Sequence, residues 1–248
     1  MALSTFDGRR VSKPFSWSFS SLNNYRTCPK RYGHYNVIKD VKEQENDNMR
    51  WGNYVHDRMA KRLAHAQPLP KEMAAYEKWA DWALVNTDRT VVDFSVERKL
   101  AMTANFEPCE YFDKVKPVWF RTVIDVLKVR PSAGVARIID WKTGKVPDDA
   151  LKEAEAMQQL ALSASVVFAM YPQVHTILAQ LAYLAEDVKN EETITRDDLK
   201  VLWRQVNPIL DDMRSAFETM EYPPKRSGLC RRHCGVTSCA FHGKGMNE

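Results

Sequence analysis

The sequence predicts an α/β fold in which helices flank a mixed β-sheet. Apolar residues recur every three or four positions near both ends of the chain, whereas between residues 92 and 142 they alternate with polar ones. The first period is typical of a helix with one buried face, and the second of a half-buried strand. With 248 residues the chain is long enough to bury one substantial core. We predict a single domain over residues 1–248, with a helical N-terminal part at 18–90, a sheet with its helix at 91–185, and a helix followed by clustered cysteines at 195–248.

Five segments show helical spacing, and they lie at residues 18–32, 49–66, 73–84, 147–170 and 195–220. Pro29 is expected to interrupt the first segment, because proline removes a backbone donor and clashes with the preceding turn. Pro147 is the predicted start of the fourth, since proline is favoured in the first helical turn. Thr195 is a suitable N-cap for the last helix, which Pro208 is expected to kink.

Strands are predicted at residues 92–100, 118–129, 135–142 and 174–184. The second and third flank the turn-like sequence Arg-Pro-Ser-Ala-Gly, which indicates a strand, a loop and a second strand. Symmetric pairing that sets Val129 opposite Ala136 also sets Asp125 opposite Asp140, with β-carbons about 5 Å apart. Because side chains alternate along a strand, Lys142 emerges on the same face as Asp140. One face of this hairpin therefore collects two acids and one base.

The two aspartates need a countercharge if they lie this close together. At an effective dielectric constant of about 20, carboxylates about 5 Å apart repel by about 3 kcal/mol. Oxygen ligands of this kind favour Mg²⁺ or Mn²⁺. A solvated strand face with an ordinary ion pair would also account for an Asp-x-Lys pattern taken alone. Here apolar pairs at 123–124 and 138–139 directly precede Asp125 and Asp140, which places both acids within apolar strands, where a charge needs a specific partner.

The hairpin, with Asp125 and the run Asp140-Trp141-Lys142-Thr143-Gly144-Lys145, resembles the core of the PD-(D/E)XK nuclease superfamily, specifically its RecB-like exonuclease branch. Three more segments are similar to elements of that branch and occur in the same order. They are the opening segment at 20–32, the helical Gly-x-x-x-His element at 52–56, and the helix segment at 159–162, which is similar to Gln-x-x-x-Tyr. This chain has Ser163 where the family usually has tyrosine. The ordered set covers most of the chain between residues 18 and 239.

The resemblance implies a restriction-endonuclease-like core and a site for one or two Mg²⁺ or Mn²⁺ ions. The metal ligands it implies are His56, Asp125, Asp140 and the backbone carbonyl of Trp141. The catalytic residues it implies are Asp125, Asp140, Lys142 and Gln159. On its own, His56 would be an ordinary surface or core histidine of an amphipathic helix. Glu97 could approach the site from the polar side of its strand, but a solvated face accounts for it equally well, and it is left out of the catalytic set.

The cysteines form a second pattern. Cys28 lies near the start of the chain, and three late cysteines follow the spacing Cys-x3-Cys-x4-Cys at Cys230, Cys234 and Cys239. Four thiols split in this way fit a [4Fe-4S] cluster that clips the two ends of the chain together. RecB-like members with such a cluster also use one early and three late cysteines, although their late spacing is usually Cys-x2-Cys-x5-Cys. Zinc, with His233 or His242 close by, is the rival, and unligated cysteines are the third alternative. Cys109 receives no role.

Charge is compatible with a nucleic-acid partner without requiring one, since the formal net charge is +4. Basic residues expected to contact DNA phosphates, with a solvated face as the alternative, are Lys145, Lys225, Arg226, Arg231 and Arg232. The sequence shows no signal peptide and no apolar stretch of membrane length, so we expect a cytoplasmic protein. Homo-oligomerisation and a recombination or repair partner are left open.

The favoured function is a DNA exonuclease or end-processing nuclease, acting on single-stranded DNA or DNA ends, in which metal-activated water hydrolyses phosphodiester bonds. The alternative is a catalytically silent module that binds nucleic acid or a partner protein on the same fold. The presence of both Asp140 and Lys142 favours the enzyme, since a silent module would be free to lose them. Polarity, strandedness and the choice between DNA and RNA are not encoded in these motifs.

Overall fold

The computed structural model describes residues 5–6, 9–10, 14–90 and 92–246. The chain forms two compact units, one made of Met1–Gln44 with Trp203–Glu248 and the other of Glu45–Leu202. The single nuclease domain over residues 1–248 stays a prediction beside this division. The N-terminal sequence on which the absence of a signal peptide was judged lies mostly outside the described residues. None of the described helices combines the length and apolar character that a membrane crossing needs.

The described residues contain nine strands and six α-helices, joined by short 3₁₀ and π-helical turns. The strands are β1 (Thr5–Phe6), β2 (Arg9–Arg10), β3 (Trp17–Ser18), β4 (Asp93–Met102), β5 (Pro108–Cys109), β6 (Phe120–Arg130), β7 (Val135–Lys142), β8 (Thr176–Tyr183) and β9 (Val188–Thr195). The helices are α1 (Phe19–Thr27), α2 (Pro29–Tyr32), α3 (Asp47–His65), α4 (Glu77–Leu84), α5 (Ala150–Met170) and α6 (Arg196–Thr219). The shorter turns are Gly33–Ile38, Lys71–Tyr76, Pro131–Ala133 and Gly228–Cys230.

The unit Glu45–Leu202 is built on a mixed sheet, as predicted, whose strands follow the order β5-β4-β6-β7-β8-β9. Within this order β7 and β8 run parallel, and the other neighbours run antiparallel. The predicted hairpin is confirmed: β6 and β7 pair with Val129 opposite Ala136. The paired residues continue as far as Val126 opposite Ile139. The hairpin therefore lies in the middle of the sheet, with β4 paired to one side of it and β8 to the other.

Within the unit Glu45–Leu202, two strands were not expected from the sequence, and the two-residue strands β1, β2 and β3 were not predicted either. β5 is a two-residue strand in the segment around Pro108 that looked irregular. β9 is a full-length edge strand paired with β8, and its sequence is polar, with Lys189 and Glu191 forming an ion pair at 2.6 Å. Charged residues are typical of an edge strand, because they discourage pairing with another chain. A polar strand of this kind lacks the apolar alternation by which strands are recognised.

Helices α3 and α4 cover one part of the sheet with an apolar core. Val55, Met59 and Leu63 repeat every four residues along α3 and are at most 2% exposed. They belong to one buried cluster with Ile139 and Trp141 of β7. Asn46 begins α3 by accepting a hydrogen bond from the Met49 N–H at 2.9 Å. This packing fixes the rotation of α3, and with it the direction of the residues beside the buried stripe.

Two helix boundaries test the predictions from proline and capping residues. The predicted start at Pro147 is wrong: α5 begins at Ala150, after Asp149, whose carboxylate accepts a hydrogen bond from the Leu151 N–H at 2.9 Å. The Asp149 side chain accepts a hydrogen bond from a backbone N–H of the first turn, whereas the side chain of Pro147 has no acceptor atom. α6 begins directly after Thr195, as predicted, and Pro208 lies inside it. The kink at Pro208 stays a prediction.

The unit formed by Met1–Gln44 and Trp203–Glu248 begins with two short helices. Ser18 caps α1, because its hydroxyl accepts from the Ser21 N–H at 3.3 Å while Ser21 Oγ accepts from the Ser18 N–H at 2.9 Å. The predicted interruption is confirmed, since α1 ends before Cys28 and α2 starts at Pro29. The Tyr25 hydroxyl donates to Asp212 Oδ2 at 2.7 Å and ties α1 to α6. Cys28 is thereby held at a buried junction between two helices.

Candidate active site and cysteine-lined cavity

Three acidic residues occupy the same row across neighbouring strands of the sheet. Val96 of β4 lies opposite Val126 of β6, which in turn lies opposite Ile139 of β7. One residue further along, the same registers align three acids, which are Glu97, Asp125 and Asp140. Opposite residues on adjacent antiparallel strands have β-carbons about 4.5–5.5 Å apart. We call these three residues the acidic row.

Asp125 joins the hairpin to helix α3 through its two carboxylate oxygens. Oδ2 accepts a hydrogen bond from the Trp141 N–H at 2.7 Å, and Oδ1 lies 3.3 Å from His56 Nδ1. Only 8% of Asp125 is exposed. Burial and the charge of Asp140 raise the pKa of Asp125 to about 6, although His56 and the Trp141 N–H oppose that rise. The negative charge of Asp140 therefore disfavours ionisation of Asp125, and a positively charged partner would offset this repulsion.

His56 is positioned by the packing of α3. It follows the buried residue Val55, and its Nδ1 lies 3.8 Å from Glu97 Oε1 in addition to its contact with Asp125. Four residues earlier, a Cβ on Gly52 would stand 3.4 Å from the Thr143 hydroxyl, so this turn of α3 lies beside the segment after β7. Burial lowers the pKa of His56, but hydrogen bonds with Asp125 and Glu97 and the charge of Asp140 raise it overall to about 10.

Lys142 and Gln159 surround Asp140 on its other side. Lys142 Nζ lies 2.7 Å from Asp140 Oδ2, and it donates to Gln159 Oε1 at 3.4 Å. The Gln159 amide nitrogen donates to Asp140 Oδ1, also at 3.4 Å. Burial lowers the pKa of Lys142, but the charge and hydrogen bond of Asp140 raise it overall. One amide thus contacts the acid and the base together.

The residue that replaces the family tyrosine has its own contacts. Ser163 is 2% exposed, and its hydroxyl lies 2.7 Å from Thr122 Oγ1 and donates to the Gln159 carbonyl at 3.0 Å. It therefore links α5 to β6 one helical turn beyond Gln159. A contact between this position and the acidic row is not among the interactions of the described residues.

The donor set around the acidic row fits a divalent cation. His56, Glu97 and Asp125 each offer a ligand atom, and these atoms lie within 4.8 Å of one another. Asp140 Oδ2 is buried and, apart from its ion pair with Lys142, has no hydrogen-bond partner among the described residues. One imidazole with several carboxylates suits Mn²⁺ or Mg²⁺ better than a softer metal. The structure brings two of the predicted ligands, His56 and Asp125, into this group together with Glu97. The Trp141 N–H donates to Asp125. Metal binding by Asp140 and by the Trp141 carbonyl stays a prediction.

Glu97 is the site residue that the sequence did not assign. Its backbone has a φ of 49°, which is unusual for a non-glycine residue inside a strand. Strained backbone of this kind clusters at functional sites, because surrounding structure must hold it. The polar side of β4 was visible in the sequence, but nothing there revealed which residue of β4 lies opposite Asp125.

An open cavity of about 770 Å³ lies in front of the site. Its lining includes Gly52, Asn53, His56, Glu97 and Thr143. His56 and Glu97 are therefore accessible from an open cavity, where a chain-like substrate has room to approach.

A protein-family model matches residues 16–240, and it describes the PD-(D/E)XK nuclease superfamily. The chain belongs to this superfamily. A comparison with curated proteins finds no matching sequence. The superfamily assignment agrees with the mixed sheet and flanking helices that the sequence predicted.

Solved structures of the same fold include a candidate exonuclease from Eubacterium rectale. It has a TM-score of 0.51 and 15% sequence identity, and the match covers 87% of this chain and 85% of that one. SSO0001 matches with a TM-score of 0.45 and 12% identity over 93% of this chain and 88% of that one. At 15% identity the likeness to the Eubacterium rectale structure shows the fold of this PD-(D/E)XK protein alone.

The four cysteines predicted to act together line one cavity in this PD-(D/E)XK protein. They are Cys28, Cys230, Cys234 and Cys239, and Arg31 and His242 lie beside them. Backbone N–H groups point at two of the sulfurs: Lys225 donates to Cys28 Sγ at 3.3 Å and Ser227 donates to Cys230 Sγ at 3.4 Å. His233 is exposed and is not part of this lining. The early and late cysteines thus meet in space as the split pattern predicted.

The basic residues predicted to contact DNA fall into two groups. Lys225 Nζ donates to the Arg26 carbonyl at 2.8 Å, and Arg226 donates to the carbonyl of Gly245. Both side chains therefore hold the segment around the cysteines. The other three, Lys145, Arg231 and Arg232, are exposed, as is Lys225. Phosphate binding by any of the five stays a prediction.

Proposed function

We propose that this protein is a metal-dependent deoxyribonuclease that degrades DNA from its ends. The observation that carries the proposal is the acidic row, with His56 at one end and the Lys142–Asp140 ion pair at the other. Membership of the nuclease superfamily supports phosphodiester hydrolysis as the reaction class. The complete acid and base set favours an enzyme over a silent nucleic-acid-binding module.

The residues suited to hold a divalent ion are His56, Glu97, Asp125 and Asp140. A bound Mg²⁺ or Mn²⁺ would supply Lewis acidity, which activates water and neutralises charge on a phosphate. The ion pair with Asp140 keeps the Lys142 ammonium inside the site, where it can orient the attacking water or stabilise charge on a phosphate oxygen. Gln159 positions both partners of that pair. The chemistry needs no covalent intermediate with the protein.

The choice of DNA ends is supported by one structural neighbour. The open cavity in front of the site is lined by His56 and Glu97, which gives a nucleic-acid strand room to reach them. The neighbour named as a candidate exonuclease shares the fold. RNA remains the competing substrate, and the test therefore includes it.

The test compares end-labelled linear DNA, closed circular DNA and RNA, each incubated with Mg²⁺, Mn²⁺ or EDTA. We expect the linear DNA alone to be shortened progressively, with either metal and not with EDTA, because hydrolysis requires both an end and a divalent ion. Cleavage of the circle at a similar rate would contradict the requirement for an end. Preferential degradation of RNA would contradict the assignment to DNA, and activity in EDTA would contradict the metal site.

We also propose that the cysteine-lined cavity holds a [4Fe-4S] cluster. All four cysteines line one cavity, and the sulfurs of Cys28 and Cys230 accept backbone N–H hydrogen bonds. Four thiols match the four ligands of a [4Fe-4S] cluster, and a tetrahedral zinc site is the alternative that a metal analysis distinguishes.

Anaerobically purified protein is expected to be brown, with about four iron and four sulfide per chain. Cys234→Ser should lose the colour and most of the iron, because it removes one of four ligands. Its melting temperature should also fall, since a bound cluster stabilises the folded state. Cys109→Ser is the matched control, because Cys109 lies outside the cavity lining, and it should keep its iron. Colourless protein with stoichiometric zinc would refute the cluster.

A further inference from the structure

A pair of aromatic rings, half-buried Tyr111 and exposed Phe112, lies on the segment between β4 and β6. The rings of Tyr111 and Phe112 have centroids 4.8 Å apart and meet edge to face at 83°. Phe112 is 72% exposed, and Val115 on the same loop is 94% exposed. A single exposed apolar side chain is ordinary, so the loop needs further observations before a role can be assigned. We call residues 103–119 the aromatic loop.

The turn that presents Phe112 is fixed by its own hydrogen bonds. The Asp113 carboxylate accepts from the backbone N–H groups of Glu110, Val115 and Lys116, at 3.2, 2.8 and 2.7 Å. Hydrogen bonds from Lys116 and Val115 lower the pKa of Asp113, so its charge is directed at the backbone. Arg121 also donates to the Tyr111 carbonyl at 2.8 Å. Phe112 is thus held out by an organised turn, which lowers the ordering cost of binding a ligand.

Positive charges surround the two rings. Lys99 Nζ lies 5.9 Å from the ring centroids of both Tyr111 and Phe112, and the Arg121 guanidinium lies 5.8 Å from that of Tyr111. Lys114 and Lys116 are exposed on the loop. Two exposed acids on the loop, Glu107 and Glu110, offset part of this charge. Aromatic faces interleaved with cations are the combination that binds the bases and phosphates of single-stranded nucleic acids.

The aromatic loop is near the acidic row in the geometry of the sheet. Lys99 follows Glu97 by two residues in β4, a distance of about 7 Å along a strand. The rings that Lys99 contacts are therefore within a few nucleotides' reach of the acidic row. A base resting on Phe112 and a phosphate at the acidic row can belong to one strand.

We propose that the aromatic loop is a stacking platform for bases of a single-stranded nucleic acid whose backbone reaches the acidic row. The proposal rests on the proposed nuclease function and names its substrate class as single strands or single-stranded ends. Phe112 is the stacking residue, and Lys99 and Arg121 supply charge for the phosphates. Duplex DNA without a single-stranded end offers no base face to this platform.

Binding is tested without cleavage, by fluorescence anisotropy of a labelled single-stranded DNA of about 12 nucleotides in EDTA, a length within the range that one binding module covers. Phe112→Ala should weaken binding about 5- to 100-fold, the equivalent of losing one base stack. The dependence of affinity on salt should be unchanged, because no phosphate contact is lost. Phe112→Trp should restore the affinity, since it restores a ring face. A blunt duplex of the same length should bind more weakly and be insensitive to Phe112→Ala.

Val115→Ala is the matched control, because Val115 is an apolar residue that is also exposed on the same loop but has no ring. Its affinity should stay within about twofold of wild type, as for a surface change outside a contact. Unchanged binding in Phe112→Ala would overturn the platform. Equal losses in Phe112→Ala and Val115→Ala would also overturn it and would indicate an apolar docking face for a protein instead. If wild type cleaves DNA but binding does not depend on Phe112, the stacking platform alone is refuted. If binding depends on Phe112 but wild type does not cleave, the nuclease function alone is refuted.

Discussion

Asp140→Asn is expected to lower the rate of DNA degradation about a thousandfold, equivalent to about 4 kcal/mol of transition-state stabilisation. Asp140 is 8% exposed, and its carboxylate contacts both Lys142 and Gln159. Asparagine keeps the shape and removes the negative charge. The proposed divalent ion would then lose a ligand, and the Lys142 ammonium loses its counterion. Initial rates on linear DNA at saturating Mn²⁺ measure the effect.

Two further measurements separate lost chemistry from lost folding in Asp140→Asn. Its circular dichroism spectrum should match that of wild type. At one hundred times its dissociation constant, Mn²⁺ should stabilise folded wild type by about 2.7 kcal/mol and so raise its melting temperature. It should have little effect on the melting temperature of the variant. Asp148→Asn is the control, because Asp148 is an exposed aspartate on the loop before α5 and should retain full activity. Equal activity in Asp140→Asn and wild type would point to a contaminating nuclease.

Glu97→Gln is expected to raise the Mn²⁺ concentration needed for half-maximal activity about 100-fold. This equals the largest loss of metal affinity that is usual when a group that only contacts a metal ligand is removed. Glutamine keeps the length of the side chain and removes the charge that stands 3.8 Å from His56. The rate at saturating metal should fall much less, because Asp140, Lys142 and Gln159 are untouched. A titration of activity against Mn²⁺ separates the two effects.

Glu192→Gln is the control for that titration, since Glu192 is an exposed glutamate on the edge strand β9. It should give the wild-type metal dependence. Glu97→Asp should fall between wild type and Glu97→Gln, because it keeps the charge and shortens the reach. An unchanged metal requirement in Glu97→Gln would mean that Glu97 only pairs with His56 and does not hold the ion.

The hairpin could be predicted from the sequence because its information is local. The turn between β6 and β7 is short, and placing Val129 opposite Ala136 fixes the positions of Asp125 and Asp140. The partnership of Glu97 with Asp125 depends on the register between β4 and β6, which are joined by a long loop. No short-range pattern determines such a register. Glu97 therefore stood on the correct face of its strand in the sequence without a visible link to the site.

The elements that the sequence missed or misplaced share a physical cause. β9 is polar on both faces, so alternation did not reveal it, and it forms because β8 offers a free edge. The start of α5 depends on whether Asp149 or Pro147 ends the preceding loop, and the side-chain cap of Asp149 decides it. In both cases a tertiary or capping contact outweighs a local preference. The four cysteines were foreseen as a group, whereas the metal they hold is a proposal that their number supports.

The position of Gln159 restricts which side chain this place in α5 can carry. Its oxygen faces a cation and its nitrogen faces an anion. A glutamate there would repel Asp140, and a lysine or arginine would repel Lys142. Because an uncharged amide is both donor and acceptor, it answers the two opposite charges without adding a third. Helix α5 thus contacts both members of the Asp140–Lys142 pair through one neutral dipole. The net charge that a phosphate would meet is therefore set by residues of the sheet and of α3.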